Sequence, residues 1–247
     1  PGIALEVCLH FGTLLAIVLV FGARLVRLTA DAFRGAAIWL RGGGTGPAAE
    51  AAPLSPTAVA VVVGTVPVVL AGLLIGSLVE RAFESMALAG VLLIVTGLVL
   101  LASRAARRAT TERAGPLTGL LVGLAQALAL LPGISRSGIT IVTGMFAGLE
   151  REAAARFSFV LAVPALAGAA VLKLLQTLAD AEAAGQTSRV PAGALAAGTI
   201  ASAAVGTVCL LLLLRAVRRG RLHWFAAYCL PAGLAMAVCG WLGGGAP

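Results

Sequence analysis

Long apolar runs separated by short polar connections dominate the chain. Six of the runs are about 20 residues long, and they lie at roughly 3–23, 57–79, 84–102, 154–175, 192–214 and 223–242. A helix of about this length crosses a bilayer core about 30 Å thick, whereas membrane β-strands are alternating segments of about ten residues. The pattern therefore predicts an all-α polytopic membrane protein with six transmembrane helices. The longest polar connection, 29–56, is rich in Gly, Pro and Ala and is expected to be a flexible loop.

The segment 116–150 departs from this pattern. It contains two shorter apolar stretches, 117–131 and 139–148, which are joined by "PGISRSG". At about 1.5 Å per residue the first stretch reaches only about 22 Å as a helix, which is too short to cross the membrane. Short, broken segments that return to the side they left are re-entrant hairpins, and irregular backbone at that depth needs protein or a water-filled cavity around it. We therefore predict a re-entrant helical hairpin over 116–150.

Composition and charge support a membrane protein and indicate its orientation. Of the 247 residues 60% are hydrophobic and 11% are charged, whereas a soluble domain is about a quarter charged. The net charge of +8 comes mostly from arginines in the short connections, which indicates topology and not a nucleic-acid partner. Fourteen of the 18 basic residues fall on one side of the predicted spans: Arg24, Arg27, Arg34, Arg41, Arg104, Arg107, Arg108, Arg113, Arg151, Arg156, Arg215, Arg218, Arg219 and Arg221. The positive-inside rule makes this side cytoplasmic. Three more lie opposite (Arg81, Lys173 and Arg189), and Arg136 is on neither side.

The four cysteines carry no recognisable chemistry. Cys8, Cys209, Cys229 and Cys239 all lie in apolar runs, and none forms a C-x-x-C pair. We expect them to be small buried apolar residues.

A weak internal repeat favours two inverted halves. "GTVPVVLAG" (Gly64–Gly72) resembles "GTIASAAVG" (Gly198–Gly206), and each lies in the middle span of a group of three. Three spans per half is an odd number, so the second half is inverted relative to the first. We predict one integral membrane domain with halves 1–115 and 116–247. Inverted-topology repeats with broken helices place a site near the bilayer midplane, and the counterpart of the hairpin would fall before the start of the chain.

The join of the predicted hairpin has the composition of an anion site. Arg136 at membrane depth costs at least roughly 3 kcal/mol, which marks a functional site by default. Its neighbours supply hydroxyls or free the backbone: Ser135, Ser137, Gly133 and Gly138. The apolar run from Ile139 predicts a helix whose N-terminus faces the same point, and phosphate fits such a group of donors best. The alternative is that Arg136 extends from a loop to the membrane interface.

Four further residues are candidates for phosphate or metal binding. Thr140 and Gln126 are predicted to contact the substrate phosphate together with the two glycines, although Gln126 fits an interhelical hydrogen bond equally well. Glu6 and His10 are spaced i, i+4 on the first span and share a face. Two residues are too few for a metal site, so Glu6 is a weak metal candidate and the alternative is a residue near lipid headgroups.

At these residues the chain resembles a known family. "GLAQALALLPGISRSGITI" is similar to the P-G-x-S-R-S-G signature of the undecaprenyl-diphosphate phosphatase (bacitracin-resistance) family. The resemblance continues in "FSFVLAVPALAGA", "LEVCLHFGTLLAIVLVF" and "HWFAAYCLPAGL" and so covers nearly the whole chain. It implies a multi-pass enzyme of the bacterial inner membrane that hydrolyses undecaprenyl diphosphate to the monophosphate. Such an enzyme recycles the lipid carrier of peptidoglycan synthesis and gives bacitracin resistance.

The resemblance also implies roles for residues and a cofactor. Arg136 would clamp the diphosphate, and Ser135 or Ser137 would bind phosphate oxygens or attack as nucleophile. Members of the family are similar in having two re-entrant hairpins and in requiring a divalent cation, Mg²⁺ or Ca²⁺. Their second signature, E-x-x-x-E followed by P-x-S-S-T-G-H, is absent here, so we expect the main metal ligands before Pro1.

We therefore predict phosphoanhydride hydrolysis of a polyprenyl diphosphate lipid. The alternative is a polyprenyl-phosphate transporter, flippase or binding protein, because inverted repeats with broken helices are also transporter architecture. The expected partners are this lipid and the bilayer, without nucleic acid. The oligomeric state is left open, with a homodimer as one option.

Overall fold

The computed structural model describes residues 2–40, 55–106, 109–184 and 192–243. Within these ranges the chain forms eight α-helices and one short 3-10 helix, and no β-strand occurs there. The α-helices are α1 (Gly2–Leu40), α2 (Pro56–Glu84), α3 (Met86–Ala102), α4 (Pro116–Leu128), α5 (Arg136–Phe146), α6 (Arg151–Ala184), α7 (Ala192–Arg218) and α8 (Ala226–Leu242). The 3-10 helix, Leu222–Phe225, leads into α8. The predicted all-α class is confirmed.

Five helical segments of the described chain are long and apolar enough to cross a membrane. They are Phe11–Asp31, Pro56–Glu84, Arg151–Leu172, Gly193–Arg218 and Leu222–Leu242. The remaining predicted span, 84–102, is the 17-residue helix α3. Many large apolar side chains point outward, for example Leu74 at 78% exposure and Leu73 at 70%. Such a surface suits lipid, and the protein is a multi-pass membrane protein, while the count of six spans stays a prediction.

Two helices extend further than the apolar pattern indicates. The prediction of a flexible loop over 29–56 is wrong for its first part, because α1 continues to Leu40. The sequence "TADAFRGAAIWL" is rich in good helix formers and holds no proline, so the helix continues beyond the apolar run. The rest of that connection, 41–54, lies outside the described residues. For the same reason α6 continues through "ADAEAA" to Ala184.

The expectation that the cysteines are buried holds for one of them. Cys229 is buried, whereas Cys209 and Cys239 are exposed, and all three are free thiols. The expectation is wrong for the exposed pair because a helix surface that faces lipid accepts an apolar side chain without protein cover. The side chain of Cys8 lies outside the described residues.

The contacts group the chain into two compact units. One unit comprises Pro1–Val26 and Ala162–Arg215, and in it α1 approaches α7 closely at Gly12. A Cβ atom on Gly12 would lie 2.6 Å from the Thr199 carbonyl oxygen. The other unit comprises Arg27–Leu161 and Ala216–Pro247 and contains α2 to α5 and α8. The division into inverted halves at residue 115 stays a prediction.

Glycines bring the helices of this second unit into backbone contact. On α4, Gly119 lies against Ala60 of α2, and Gly123 lies one turn further along against Gly64. This spacing of four is the small-xxx-small pattern by which helices approach closely in lipid, where van der Waals packing replaces the hydrophobic effect.

The same kind of contact joins α3 to α8. Gly90 of α3 lies against Gly233 and Ala237 of α8, and Gly240 lies against Ala87. A Cβ on Gly97 would meet Leu230 of α8 at 2.6 Å. The face of α3 is therefore held by α8 along most of its length.

We expect Gly123→Ala to lower the thermal midpoint of the protein in detergent. The added methyl group would lie 2.6 Å from the Gly64 Cα, so α2 and α4 must separate, at a cost of about 1–3 kcal/mol for overpacking. Gly72→Ala on α2 is the matched control, because nothing lies within 4 Å of its Cβ position. An alanine there should leave the midpoint unchanged or raise it slightly. Equal midpoints for the two variants would contradict the close packing of α2 on α4.

Candidate functional site

The segment predicted to be a re-entrant hairpin forms a pair of short helices, and its re-entry into the membrane stays a prediction. α4 has 13 residues and α5 has 11, so they are about 20 and 17 Å long. The two ends of the segment meet, since Thr111 and Leu149 form a β-bridge and the Glu150 N–H donates to the Thr111 carbonyl at 2.9 Å. The chain thus returns to the point it left, as the broken apolar pattern predicts.

The second helix of the hairpin begins at the arginine itself. We expected a helix from Ile139, but α5 starts at Arg136, and Ser135 is its N-cap. The Ser135 Oγ accepts a hydrogen bond from the Gly138 N–H at 3.2 Å. Serine is among the best N-cap residues because its oxygen satisfies an N–H that the helix cannot. Because Ser135 caps the helix at this point, Arg136 lies in the first turn of α5.

Gly133 at the tip is a position that only glycine fills. Its φ of +89° is in the left-handed region, which side chains rarely adopt. A Cβ there would also collide with the Ala89 carbonyl and lie 3.0 Å from the Leu93 nitrogen, both on α3. The tip of the hairpin thus lies directly on the backbone of α3.

A threonine of α3 binds the tip on both sides of Ile134. The Thr96 Oγ1 donates to the Gly133 carbonyl at 2.9 Å and accepts from the Ser135 N–H at 3.0 Å. Thr96 is buried, with 3% of its surface exposed. One hydroxyl therefore satisfies two polar backbone groups next to the arginine.

The Arg136 guanidinium has no hydrogen bond or ion pair with any described residue. The residue is half-buried at the N-terminus of α5, where the positive end of the helix dipole adds to its charge. The backbone N–H groups of Arg136 and Ser137 face the same end, because the first N–H groups of a helix have no intrahelical acceptor. This arrangement is a set of donors that suits an anion.

The two serines beside Arg136 differ in their surroundings. The Ser135 oxygen is engaged by the cap, whereas the Ser137 hydroxyl has no partner among the described residues. Both side chains are half-buried. Gly138 allows the cap to close, because a Cβ there would approach the Ser135 Oγ to 3.1 Å.

Thr140 lies behind the arginine and is fully buried. Its Oγ1 donates to the Arg136 carbonyl at 2.6 Å and lies 2.5 Å from the Ser158 Oγ of α6. In this arrangement the hydroxyl supports the first turn of α5 and does not point to the tip. A direct contact between Thr140 and phosphate stays a prediction.

Gln126 lies near the C-terminal end of α4, one turn beyond Gly123. Its side chain is 2% exposed, and neither its amide nitrogen nor its oxygen has a hydrogen-bond partner in the described structure. The interhelical hydrogen bond that we considered for it is not formed. Its predicted role in phosphate binding stays a prediction.

The described residues do not assemble a metal site. They contain no group of three His, Cys, Asp or Glu side chains that could hold an ion. Glu6 and His10 lie in α1, but their side chains are outside the described residues. The part of the protein that the structure describes therefore does not fit a divalent cation by itself.

Two residues in contact with the site are missed by the sequence analysis. Thr96 and Ser158 are hydroxyl residues of α3 and α6, respectively. Thr96 hydrogen-bonds to the Gly133 carbonyl and the N–H of the cap residue Ser135, and Ser158 hydrogen-bonds to the Thr140 hydroxyl. The signal for them is weak, since threonine and serine are common in membrane helices and usually bond to their own helix. Thr65 does so, donating to the Val61 carbonyl at 2.7 Å.

Comparisons with known proteins identify the family of this chain. The family described as bacitracin resistance protein BacA matches residues 1–235. An undecaprenyl-diphosphatase of Desulfatibacillum aliphaticivorans is 37% identical, covering 96% of this chain and 85% of that protein. Proteins of the same name from Rhodopirellula baltica and Desulforapulum autotrophicum are 39% and 33% identical, covering 96% and 98% of this chain and 82% and 86% of their own length. This chain therefore belongs to the bacitracin resistance protein BacA family.

Proposed function

We propose that this protein hydrolyses undecaprenyl diphosphate to undecaprenyl phosphate and inorganic phosphate. The observation that carries the proposal is an unpartnered arginine at the capped N-terminus of α5, within the P-G-x-S-R-S-G motif. The relatives named undecaprenyl-diphosphatase support the same reaction. The hydrolysis recycles the lipid carrier of peptidoglycan synthesis and gives resistance to bacitracin.

Arg136 binds the diphosphate in this proposal. Its planar guanidinium presents parallel N–H donors that match two phosphate oxygens, and the free N–H groups of the α5 terminus add further donors. The N–H groups of the helix terminus are fixed before the substrate arrives, so they stabilise charge on the transferred phosphoryl group without reorganisation. The apolar helix surfaces accommodate the prenyl chain.

The reaction breaks the phosphoanhydride bond. An attacking oxygen bonds to the terminal phosphorus while the bond from that phosphorus to the bridging oxygen breaks, and the bridging oxygen leaves with undecaprenyl phosphate. With water as the attacking group, its protons pass to the released phosphate or to solvent. With a serine, the hydroxyl proton passes to solvent as a phosphoserine forms and undecaprenyl phosphate leaves; water then cleaves the phosphoserine, and a proton returns to the serine oxygen. Ser137 is the better placed of the two serines, because Ser135 serves as the helix cap.

The alternative function, a polyprenyl-phosphate transporter, flippase or binding protein, is not favoured, because the relatives are named for hydrolysis. The inner membrane of a bacterium is the proposed location, with the arginine-rich connections on the cytoplasmic side. Association into a homodimer stays a prediction.

We expect Arg136→Ala to lower phosphate release from undecaprenyl diphosphate in detergent by about 100- to 1,000-fold or more, as for loss of a principal transition-state donor. Arg136→Lys keeps the charge but loses the fork of parallel donors, so it should restore only part of the rate. Arg219→Ala is the control, because Arg219 is an exposed arginine outside the hairpin. Near-normal release by Arg136→Ala would overturn the proposed function.

Removal of the Ser137 hydroxyl should have a smaller effect than removal of Arg136. A hydrogen bond to a charged group contributes roughly 1.5–3 kcal/mol, so Ser137→Ala should lower kcat/KM by about ten- to 100-fold. Ser135→Thr, which keeps a capping oxygen, should retain most of the activity. Complete loss with Ser137→Ala would identify this serine as the nucleophile, and an unchanged kcat/KM would contradict its contact with phosphate.

A divalent cation, Mg²⁺ or Ca²⁺, stays a prediction from the family resemblance, with Glu6 as a weak candidate ligand. We expect dialysis against a chelator to abolish phosphate release and addition of Mg²⁺ or Ca²⁺ to restore it. The thermal midpoint measured in parallel separates loss of activity from loss of folding. Full activity after chelation would contradict the cation requirement.

A further inference from the structure

We propose that two buried hydroxyls outside the P-G-x-S-R-S-G motif, Thr96 and Ser158, are positioning residues that hold Arg136 in place for phosphate. The inference rests on the proposed function, since it concerns the same reaction. Both residues are 3% exposed. Thr96 acts on the backbone of Gly133 and Ser135, and Ser158 acts on the Arg136 carbonyl through the Thr140 hydroxyl.

Thr96 fixes the backbone on the N-terminal side of Arg136. A threonine hydroxyl has one proton, and here it is donated to the Gly133 carbonyl, while the lone pairs accept the Ser135 N–H. Both functions of the hydroxyl are thus in use. Because Thr96 itself is buried, removal of its hydroxyl would leave two polar backbone groups without this partner.

Ser158 acts on the C-terminal side of Arg136 indirectly, through the Thr140 hydroxyl. The Thr140 proton is donated to the Arg136 carbonyl at 2.6 Å, so the 2.5 Å contact between the two hydroxyls needs Ser158 as the donor. The hydroxyl of α6 thereby orients that of Thr140. The Arg136 carbonyl is bound by Thr140 of α5, whose hydroxyl is oriented from α6, and the cap that precedes Arg136 is held from α3.

The consequence for catalysis is geometric. The guanidinium is at the end of a long side chain without a partner of its own, so the position of its Cα decides where it can reach. A displacement of about 1 Å in a group that orients the substrate can cost about 100-fold in rate. Loss of either hydroxyl should therefore lower kcat more than it raises KM.

The first test uses Thr96→Val, which keeps the shape and removes the hydroxyl. We expect kcat for undecaprenyl diphosphate to fall roughly ten- to 100-fold with a much smaller change in KM. Thr96→Ser should restore most of kcat. Thr65→Val is the matched control, because its hydroxyl bonds only within its own helix, and it should retain full activity. Ser158→Ala should cause a smaller fall, since Thr140 still reaches the Arg136 carbonyl.

The second test is a double-mutant cycle with Arg136→Lys. If Thr96 acts through Arg136, then Thr96→Val should reduce kcat much less in the Arg136→Lys protein than in the wild type. Independent, multiplicative effects of the two substitutions would overturn the positioning role and leave the proposed function intact. Full activity of both the Arg136→Lys and the Arg136→Ala variants would instead overturn the proposed function itself. If Thr96→Val does not fold, the same cycle with Ser158→Ala decides the question.

Discussion

Irregular backbone at membrane depth needs partners from the protein, and the arrangement of the hairpin follows from this requirement. The seven residues 129–135 between α4 and α5 are not α-helical. Most of their N–H groups have acceptors: Ala129, Leu130, Leu131 and Ile134 donate to carbonyls three or four residues earlier, and Ser135 donates to Thr96, while Pro132 has no N–H group. The helix therefore relaxes into tight turns before it breaks. The Ser135 N–H then donates to a side chain of another helix, the Thr96 hydroxyl of α3.

The position of α3 follows from the same requirement. Thr96 can bond to the tip only because Gly133 allows the tip to touch the backbone of α3 near Ala89. α3 in turn is held by α8 through Gly90 and Gly97. Small residues thus act twice, once to bring α3 and α8 together and once to bring the tip onto α3. Backbone approach of this kind allows the van der Waals packing that contributes to helix association in lipid.

The sequence reveals the class of the fold, the broken segment and the arginine, because each of them departs clearly from a simple pattern. Apolar runs give helices, the short runs around "PGISRSG" give the hairpin, and the charge distribution isolates Arg136. The start of α5 is missed by three residues because capping by Ser135 overrides the apolar periodicity used to place it. Thr96 and Ser158 are missed because their partners are distant in sequence, by 37 to 39 and by 18 residues. A single hydroxyl in an apolar helix does not indicate whether its bond is made within the helix or across it.

The structure also separates the motif into residues with different physical tasks. Gly133, Ser135 and Gly138 shape the backbone, Thr140 supports the first turn from behind, and Arg136 is left without a partner. An unpaired guanidinium within the membrane is costly, and one that is already paired would have to exchange partners to bind phosphate. Leaving Arg136 unpaired while the Ser135 cap and the Thr140 hydroxyl are hydrogen-bonded places this cost in the free protein, where binding of an anionic headgroup relieves it. The interaction energy is then available to the diphosphate and to the charge that develops as it is cleaved.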